Sequence, residues 1–247
     1  MTIEIIYSDD DIIVINKPSG ISVHRGDSVH VPVLTDFLLE KFPEVKNVGD
    51  DSVLRPGIVH RLDKDTSGVM IVARNQKSFE ELKELFKTRR VEKTYWAIVC
   101  GTPKKSSGVI NLPIGRLVKN PLKRGVAEGK RKIRGAREAV TEYRVLKSGG
   151  EVRLPGGSRT SDSQVFSLVE LKPKTGRMHQ LRVHLKAIGH PVACDKIYGG
   201  KNVCCPEGAT RQLLHAKSIS FSFPEGRRLF FEADAPDDMT LAIKGIF

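Results

Sequence analysis

A chain of 247 residues with 39% hydrophobic and 28% charged side chains has an ordinary globular composition, and at that length it buries roughly 70–75% of its unfolded surface, enough to fold without disulfides. Its 41 Lys and Arg against 29 Asp and Glu leave a formal charge of +12, and an excess of that size points to a polyanion partner. No apolar run approaches the roughly 20 residues of a membrane helix, which excludes a helical membrane span.

The opening Met-Thr-Ile-Glu-Ile-Ile starts directly as a strand and lacks the basic and apolar segments of a signal peptide, so a cytoplasmic location is expected. Ile3–Tyr7 and Asp11–Asn16 read as a hairpin around Ser8-Asp9-Asp10. Pro18-Ser19-Gly20 is a turn. Thr35 is placed to cap a short helix over Asp36–Lys41, with Pro43 just beyond it. The run Ser78-Phe79-Glu80-Glu81 has the form of a capping box. It starts a helix ending near Thr88, with Phe79, Leu82, Leu85 and Phe86 on one face.

Thr94–Cys100 reads as a strand whose Tyr95, Ala97 and Val99 share a face. Residues 119–138 carry Lys119, Lys123, Arg124, Lys130, Arg131, Lys132, Arg134 and Arg137 against Glu128 and Glu138, and read as a mobile basic loop. Strands follow at Glu142–Leu146 and Val165–Leu171, joined by the Gly- and Ser-rich Gly149–Asp162. Met178–Ile188 is helical, with Gly189 as its stop. Strands at Leu213–His215, Ile219–Phe223 and Arg228–Glu232 complete the chain. Strands outnumber helices and there is no internal repeat. One α+β domain over residues 1–247 is therefore expected, a mixed, mainly antiparallel sheet with flanking helices and loops.

Cys100, Cys194, Cys204 and Cys205 make no C-x-x-C, and adjacent Cys204 and Cys205 are poor partners for each other. This spacing is neither a disulfide framework nor a zinc site, so thiols are the expectation. The dinucleotide fingerprint, the P-loop, H-E-x-x-H and the kinase motifs are all missing or broken. His60, His179, His184 and His215 recur with no acidic or thiol partner at ligand spacing, and no metal is expected.

What remains is "HRLDKDTSG", residues 60–68, a charged stretch between the apolar runs Gly57–Val59 and Val69–Ala73. Asp63 and Asp65 would share a face in an extended segment. That spacing fits a paired-carboxylate glycosidase and equally a single acid opposed by a cation; it does not choose between them.

The surrounding residues carry a resemblance. "RPGIVHRLDKDTSGVMIVARN" (55–75) is similar to the central motif of the RluA-type pseudouridine synthases. In order, "DDIIVINKPSGISVH" (10–24), "EKTYWAIVCG" (92–101), "LKPKTGRMHQLRVHLKAIGHPVACDKIYGG" (171–200) and "LLHAKSISFSFP" (213–224) resemble the family's other segments. The resemblance implies isomerisation of selected uridines in ribosomal or transfer RNA to pseudouridine, without metal or cofactor. It implies Asp63 as the catalytic acid, and Tyr95 as the ring that stacks on the target base and serves as a base at C5. Arg177 becomes the partner of the acid, and Arg61 the side chain that fills the RNA stack. His60, Lys123, Arg124, Lys130, Arg131 and Lys132 are the further expected RNA contacts, and a monomer is the default state. Met178 stands where Thr is usual and Cys194 where Gly is usual. The basic run is long, and the first motif begins too early for an S4-type domain before it.

Elementary chemistry agrees. Breaking a C1′–N1 bond needs charge stabilisation at the sugar or a group to accept the C2′ proton, and a carboxylate does either. An adjacent Arg keeps such a carboxylate ionised in a partly dry pocket. A stacked uridine must be extruded, at a cost of a few kcal/mol, onto an aromatic or apolar surface. Two other readings remain: an RNA-folding chaperone on the same fold, and a glycosidase that frees uracil from nucleosides.

Overall fold

The computed structural model describes residues 3–25, 31–128, 132–153, 163–200 and 203–247. The chain divides into two compact units, Met1–Lys93 with His215–Ala235, and Thr94–Leu214 with Pro236–Phe247. Their boundaries fall inside two strands, β4 (Glu92–Cys100) and β11 (Leu214–Ser222).

In the first unit, β1 (Glu4–Ser8) and β2 (Ile12–Lys17) form the expected hairpin, with Glu4 opposite Asn16. Asp9 closes its turn by accepting the amides of Asp11 and Ile12 at 2.9 and 2.8 Å. β2 runs antiparallel to β3 (Ser67–Ala73), which pairs in parallel with β11, and β12 (Arg228–Glu232) lies antiparallel to β11. Every residue of β3 is buried. A strand covered on both faces reads as a continuous apolar run, not an alternation, and Val69–Ala73 has that form.

Where β3 meets β11, a Cβ on Gly68 would collide with the carbonyl oxygen of Ala216 and stand 2.6 Å from its nitrogen; Gly68 also has φ +119°. Glycine is the residue that meets both demands. Beside it, the Ser67 hydroxyl meets His215 Nδ1 at 3.0 Å, and His215 Nε2 donates to the Ala233 carbonyl. That buried histidine locks the two strands together.

The helices begin earlier than their expected caps. α1 (Leu34–Lys41) includes Thr35, and its entry is held by Asp36, which accepts the Val33 amide at 3.0 Å. α2 (Gln76–Lys87) is capped by Asn75, whose Oδ1 accepts the Ser78 amide at 2.9 Å. Ser78 lies inside the first turn and donates its own hydroxyl to the same oxygen. Phe79, Leu82 and Leu85 are buried as expected.

In the second unit β4, β10 (Ser163–Pro173), β9 (Val140–Arg153) and β5 (Ser107–Asn111) are antiparallel neighbours in that order. Ala97 and Val99 pack with Val169, Leu171, Leu181, Leu185 and Val192, and half-buried Tyr95 closes the edge of that cluster. Leu181 and Leu185 come from α3 (Gln180–Ala187), and Gly189 takes φ +89° just past its end. The carboxy-terminal α4 (Asp237–Ile246) was not anticipated.

Two further expectations are corrected. The described residues within 119–138 do not form a loop. They supply β7 (Asn120–Val126) and β8 (Ile133–Arg137), which flank β6 (Ile114–Leu117) in a three-stranded antiparallel sheet. Density of charge hid the alternation, because few positions of that sheet are buried and charged residues stand among the exposed ones.

The cysteines are not thiols but pairs: Cys100 with Cys204 and Cys194 with Cys205, at Cα separations of 6.0 and 4.7 Å. The first pair closes over a sequence separation of 104, which local spacing does not reveal. Cys204 and Cys205 each find a different partner. Cys194, at φ +59°, holds a left-handed backbone of the kind glycine takes at least cost.

Candidate active site

Asp63 lies on a turn between two buried anchors. Leu62 before it is buried, as are Thr66 and Ser67 after it, while Asp63 itself is half-buried. The Thr66 amide donates to the Asp63 carbonyl at 3.1 Å and closes the turn. Lys64 is held from the opposite side, its carbonyl accepting the Gly20 amide and the Lys17 ammonium, both at 3.0 Å. The backbone here turns, so the extended geometry that would align Asp63 with Asp65 is absent.

Lys17 was overlooked as a sequence signal. It is fully buried, and its Nζ also donates to the carbonyls of Pro18 at 2.7 Å and Ile21 at 2.9 Å. A buried ammonium is stable only where oxygens replace water. These three carbonyls do so, and in return the "NKPSG" segment is tied to the turn that carries Asp63. The sequence sign was a lysine at the end of an otherwise apolar run.

His60 accepts the Ile71 amide through Nε2 at 2.9 Å, so its proton sits on Nδ1. Its ring stacks on Phe86 with centroids 4.7 Å apart, and Lys93 lies over the other ring at 5.7 Å. Burial, helped by the Lys93 charge, pushes the imidazole down to about 3. A neutral ring so engaged holds the turn and brings no charge to a phosphate. Arg61 is exposed and reaches His24 Nε2 at 3.4 Å.

In the second unit, Arg177 sits in the turn before α3, half-buried. Its Nε donates to the Glu138 carbonyl at 3.0 Å, and its amide to Gln180 Oε1 at 3.0 Å. Gln180 is buried. Its oxygen also accepts the Thr175 hydroxyl at 2.7 Å, and its nitrogen donates to the Val140 carbonyl and Thr141 Oγ1. This one amide fixes the Arg177 turn to the start of β9, a role no periodicity or spacing reveals.

Tyr198 joins the same region to the basic sheet, its hydroxyl accepting the Arg124 amide at 3.0 Å and meeting His179 Nδ1 at 2.8 Å. Behind it, Arg182 grips Asp195 through two contacts of 2.7 and 2.9 Å, both groups buried. Burial pushes the Asp195 carboxyl up, but Arg182 and the amides of Tyr198 and Ile197 outweigh it and hold the group below its ordinary value. Met178, exposed, accepts from Arg124 Nη2 through sulfur at 3.0 Å.

Thus Asp63, Arg61 and His60 belong to one unit, and Tyr95, Arg177, Lys123, Arg124 and Lys132 to the other. Lys130 and Arg131 lie outside the described residues. Among the described residues, no group of three or more His, Cys, Asp or Glu side chains is placed to hold a metal ion, and no helix is long and apolar enough to cross a membrane.

Residues 11–187 match the family model described as RNA pseudouridylate synthase. An uncharacterized RNA pseudouridine synthase of Synechocystis is 38% identical over 90% of this chain and 62% of its own. A second, from Bacillus subtilis, is 36% identical over 100% of this chain and 73% of its own. Ribosomal large subunit pseudouridine synthase D of Borreliella burgdorferi is 42% identical over 80% of this chain, which spans only 55% of that protein. Among solved structures, human RNA pseudouridylate synthase domain containing 1 superposes with a TM-score of 0.75 at 30% identity, covering 95% of this chain and 84% of that one. A model match over most of the sequence, relatives aligned along its length and a shared α+β fold lead to one assignment: the chain belongs to the RluA-type family of RNA pseudouridylate synthases.

Proposed function

We propose that this chain isomerises specific uridines in structured RNA to pseudouridine, and that residues 1–247 act as one catalytic domain. The observation that carries the reading is the Asp63 turn, braced by Lys17 and Gly20 on one side and closed by Thr66 on the other, in a chain of this family.

In this reading the Asp63 carboxylate serves the glycosidic carbon, either by attacking C1′ or by taking the C2′ proton, with Arg177 as its proposed partner. Tyr95 offers a half-exposed ring to the extruded base and a hydroxyl to the proton at C5. After C1′–N1 cleavage the uracil rotates, C5 bonds to C1′, the C5 proton leaves and N1 takes up a proton in its place. No atom is gained or lost overall, so the reaction needs no redox cofactor. Arg61, exposed, takes the space the base vacates. Lys123, Arg124 and Lys132 meet phosphates, and Lys130 and Arg131 of the same basic run are proposed to join them.

The name of the Borreliella relative favours ribosomal RNA over transfer RNA as the substrate. A cytoplasmic monomer completes the proposal. Release of tritium from RNA carrying 5-³H-uridine tests it. Wild type should release tritium, and Asp63→Asn, folded to the same melting temperature, should lose at least about 10³-fold in rate. Full-rate release by that variant would remove Asp63 from the mechanism. RNA binding with no release by wild type would leave the chaperone reading.

A further inference from the structure

The three-stranded sheet of the second unit holds a feature that neither fold nor chemistry requires. Arg116 on β6 is directly opposite Arg124 on β7 and directly opposite Arg134 on β8. Directly paired residues of antiparallel strands project from the same face, so three guanidinium groups form one row across the sheet. With strands about 4.8 Å apart, the row is about 10 Å long.

Like charges directly opposite each other destabilise a sheet, and here two such pairs share one arginine. No acid inside the sheet relieves them. Residues 114–137 hold nine Lys or Arg against one Glu, and neither Arg116 nor Arg134 forms an ion pair among the described residues. Both are exposed. The sheet itself is nonetheless anchored. Ile114 packs with Ala139, Val183 and Tyr198, and Val126 packs against that group. Behind the strands, the bare Cα atoms of Gly115 and Gly125 admit the Ile133 side chain. The half-buried Arg124 guanidinium also donates to the carbonyls of Pro121 at 2.8 Å and Lys123 at 3.3 Å; these neutral acceptors orient it and leave its charge in place, so a firmly seated sheet presents a repulsive row that an external anion would relieve.

The position of the row gives it a direction. Arg124 holds one end, its amide on Tyr198 and its Nη2 against the sulfur of Met178, the neighbour of Arg177. From there the row leads away across β6 to Arg134.

We infer that Arg124, Arg116 and Arg134 form a phosphate rail for the RNA strand flanking the target nucleotide, with room for about two to three successive phosphates. This rests on the proposed RNA substrate and adds Arg116 and Arg134 to its contacts. Spaced guanidinium groups on a rigid sheet bind backbone and read no base, so the rail contributes affinity and register.

The test uses the full chain with the paired variant Arg116→Gln/Arg134→Gln and, as a charge-keeping control, Arg116→Lys/Arg134→Lys. The probe is unmodified ribosomal RNA transcript carrying 5-³H-uridine. Binding is measured between about 50 and 200 mM salt, and tritium release in single turnover at saturating RNA. The Gln pair should flatten the slope of log affinity against log salt by about 1.4–1.8, equivalent to two phosphate contacts. It should leave the saturated rate within about twofold, as for a loss of uniform binding, and the Lys pair should restore the slope. An unchanged slope in the Gln pair overturns the rail, as does a Lys pair that folds yet fails to restore it. Wild type that shows the salt effect but releases no tritium sinks the isomerase reading and leaves the rail standing.

Discussion

Replacing Lys17 with Met isolates the brace under the Asp63 turn. Met retains most of the aliphatic volume and removes the ammonium. Three carbonyls lose a donor, those of Pro18, Ile21 and Lys64, but the Lys64 oxygen keeps the Gly20 amide. Two carbonyls are thus orphaned, at about 1–3 kcal/mol each when they remain buried. Against this, the folded state no longer carries the several kcal/mol needed to desolvate an ammonium. Set against the roughly 2–6 kcal/mol of the two carbonyls together, that relief leaves a net loss on the order of 1 kcal/mol, measured as a lower urea midpoint with an unchanged m-value. The Lys64 carbonyl now hangs on one bond, so Asp63 is less well aimed. At a temperature where the variant is folded, single-turnover tritium release at saturating RNA should fall while RNA affinity holds. A variant within about 0.5 kcal/mol of wild type with an unaltered rate would refute the claim that this ammonium supports the site.

Gly68→Ala should cost about 3–4 kcal/mol, since a left-handed backbone and a collision with the Ala216 carbonyl act together; a thermal melt within a few degrees of wild type would show that β3 and β11 yield easily. Acid should destabilise the first unit through His60. Its folded value near 3 lies below the unfolded 6.5, so the unfolded chain takes up the proton first and stability falls as pH drops below about 6.5. The loss should reach about 1–2 kcal/mol at pH 5, and His60→Gln should remove that part of the slope; an equal slope in the variant would assign it to other groups. Reduction of Cys100–Cys204 should lower stability by about 3–5 kcal/mol, given the long loop it closes, seen as a reductant-dependent melting temperature; coincident melts with and without reductant would deny the pair a stabilising role.

The legible parts of this fold are those where burial is one-sided or complete over a short run. The hairpin of β1 and β2 and the stripe of α2 declared themselves because apolar residues recur at the strand or helix period. The three-stranded basic sheet did not, because few of its positions are buried, Ile114, Gly115 and Gly125 among them, and charged residues and glycines interrupt its apolar ones. The helix α4 had a start signal in Pro236 with Asp237 and Asp238 behind it, outweighed by the run of strands before it. For α2 two caps competed. Asn75 prevailed over Ser78 because capping from Asn75 adds a turn and leaves the Ser78 hydroxyl satisfied inside the helix.

The candidate site divides along the same line. Asp63 could be singled out from composition, as an acid in a charged stretch between buried runs. Its role could not, since a turn residue and a catalyst look alike until the family pattern is seen. Tyr95 and Arg177 carry even less local signal. A tyrosine on an apolar strand face is ordinarily core, and an arginine before a helix is ordinarily solvent-exposed. What distinguishes Arg177 is the polar scaffold around it: Gln180 with four side-chain hydrogen bonds, to Thr175, Arg177, Val140 and Thr141, a buried amide whose satisfaction depends on β9. Residues that act through such non-local bonds are chosen by the tertiary structure, and a linear reading meets them only as unexplained polar positions inside an apolar stretch. Lys17 and Gln180 are both of that kind, and each supports a loop that bears a proposed catalytic group. The buried polar residue with no periodic reason to be there is therefore the sequence feature that leads from this fold to its chemistry.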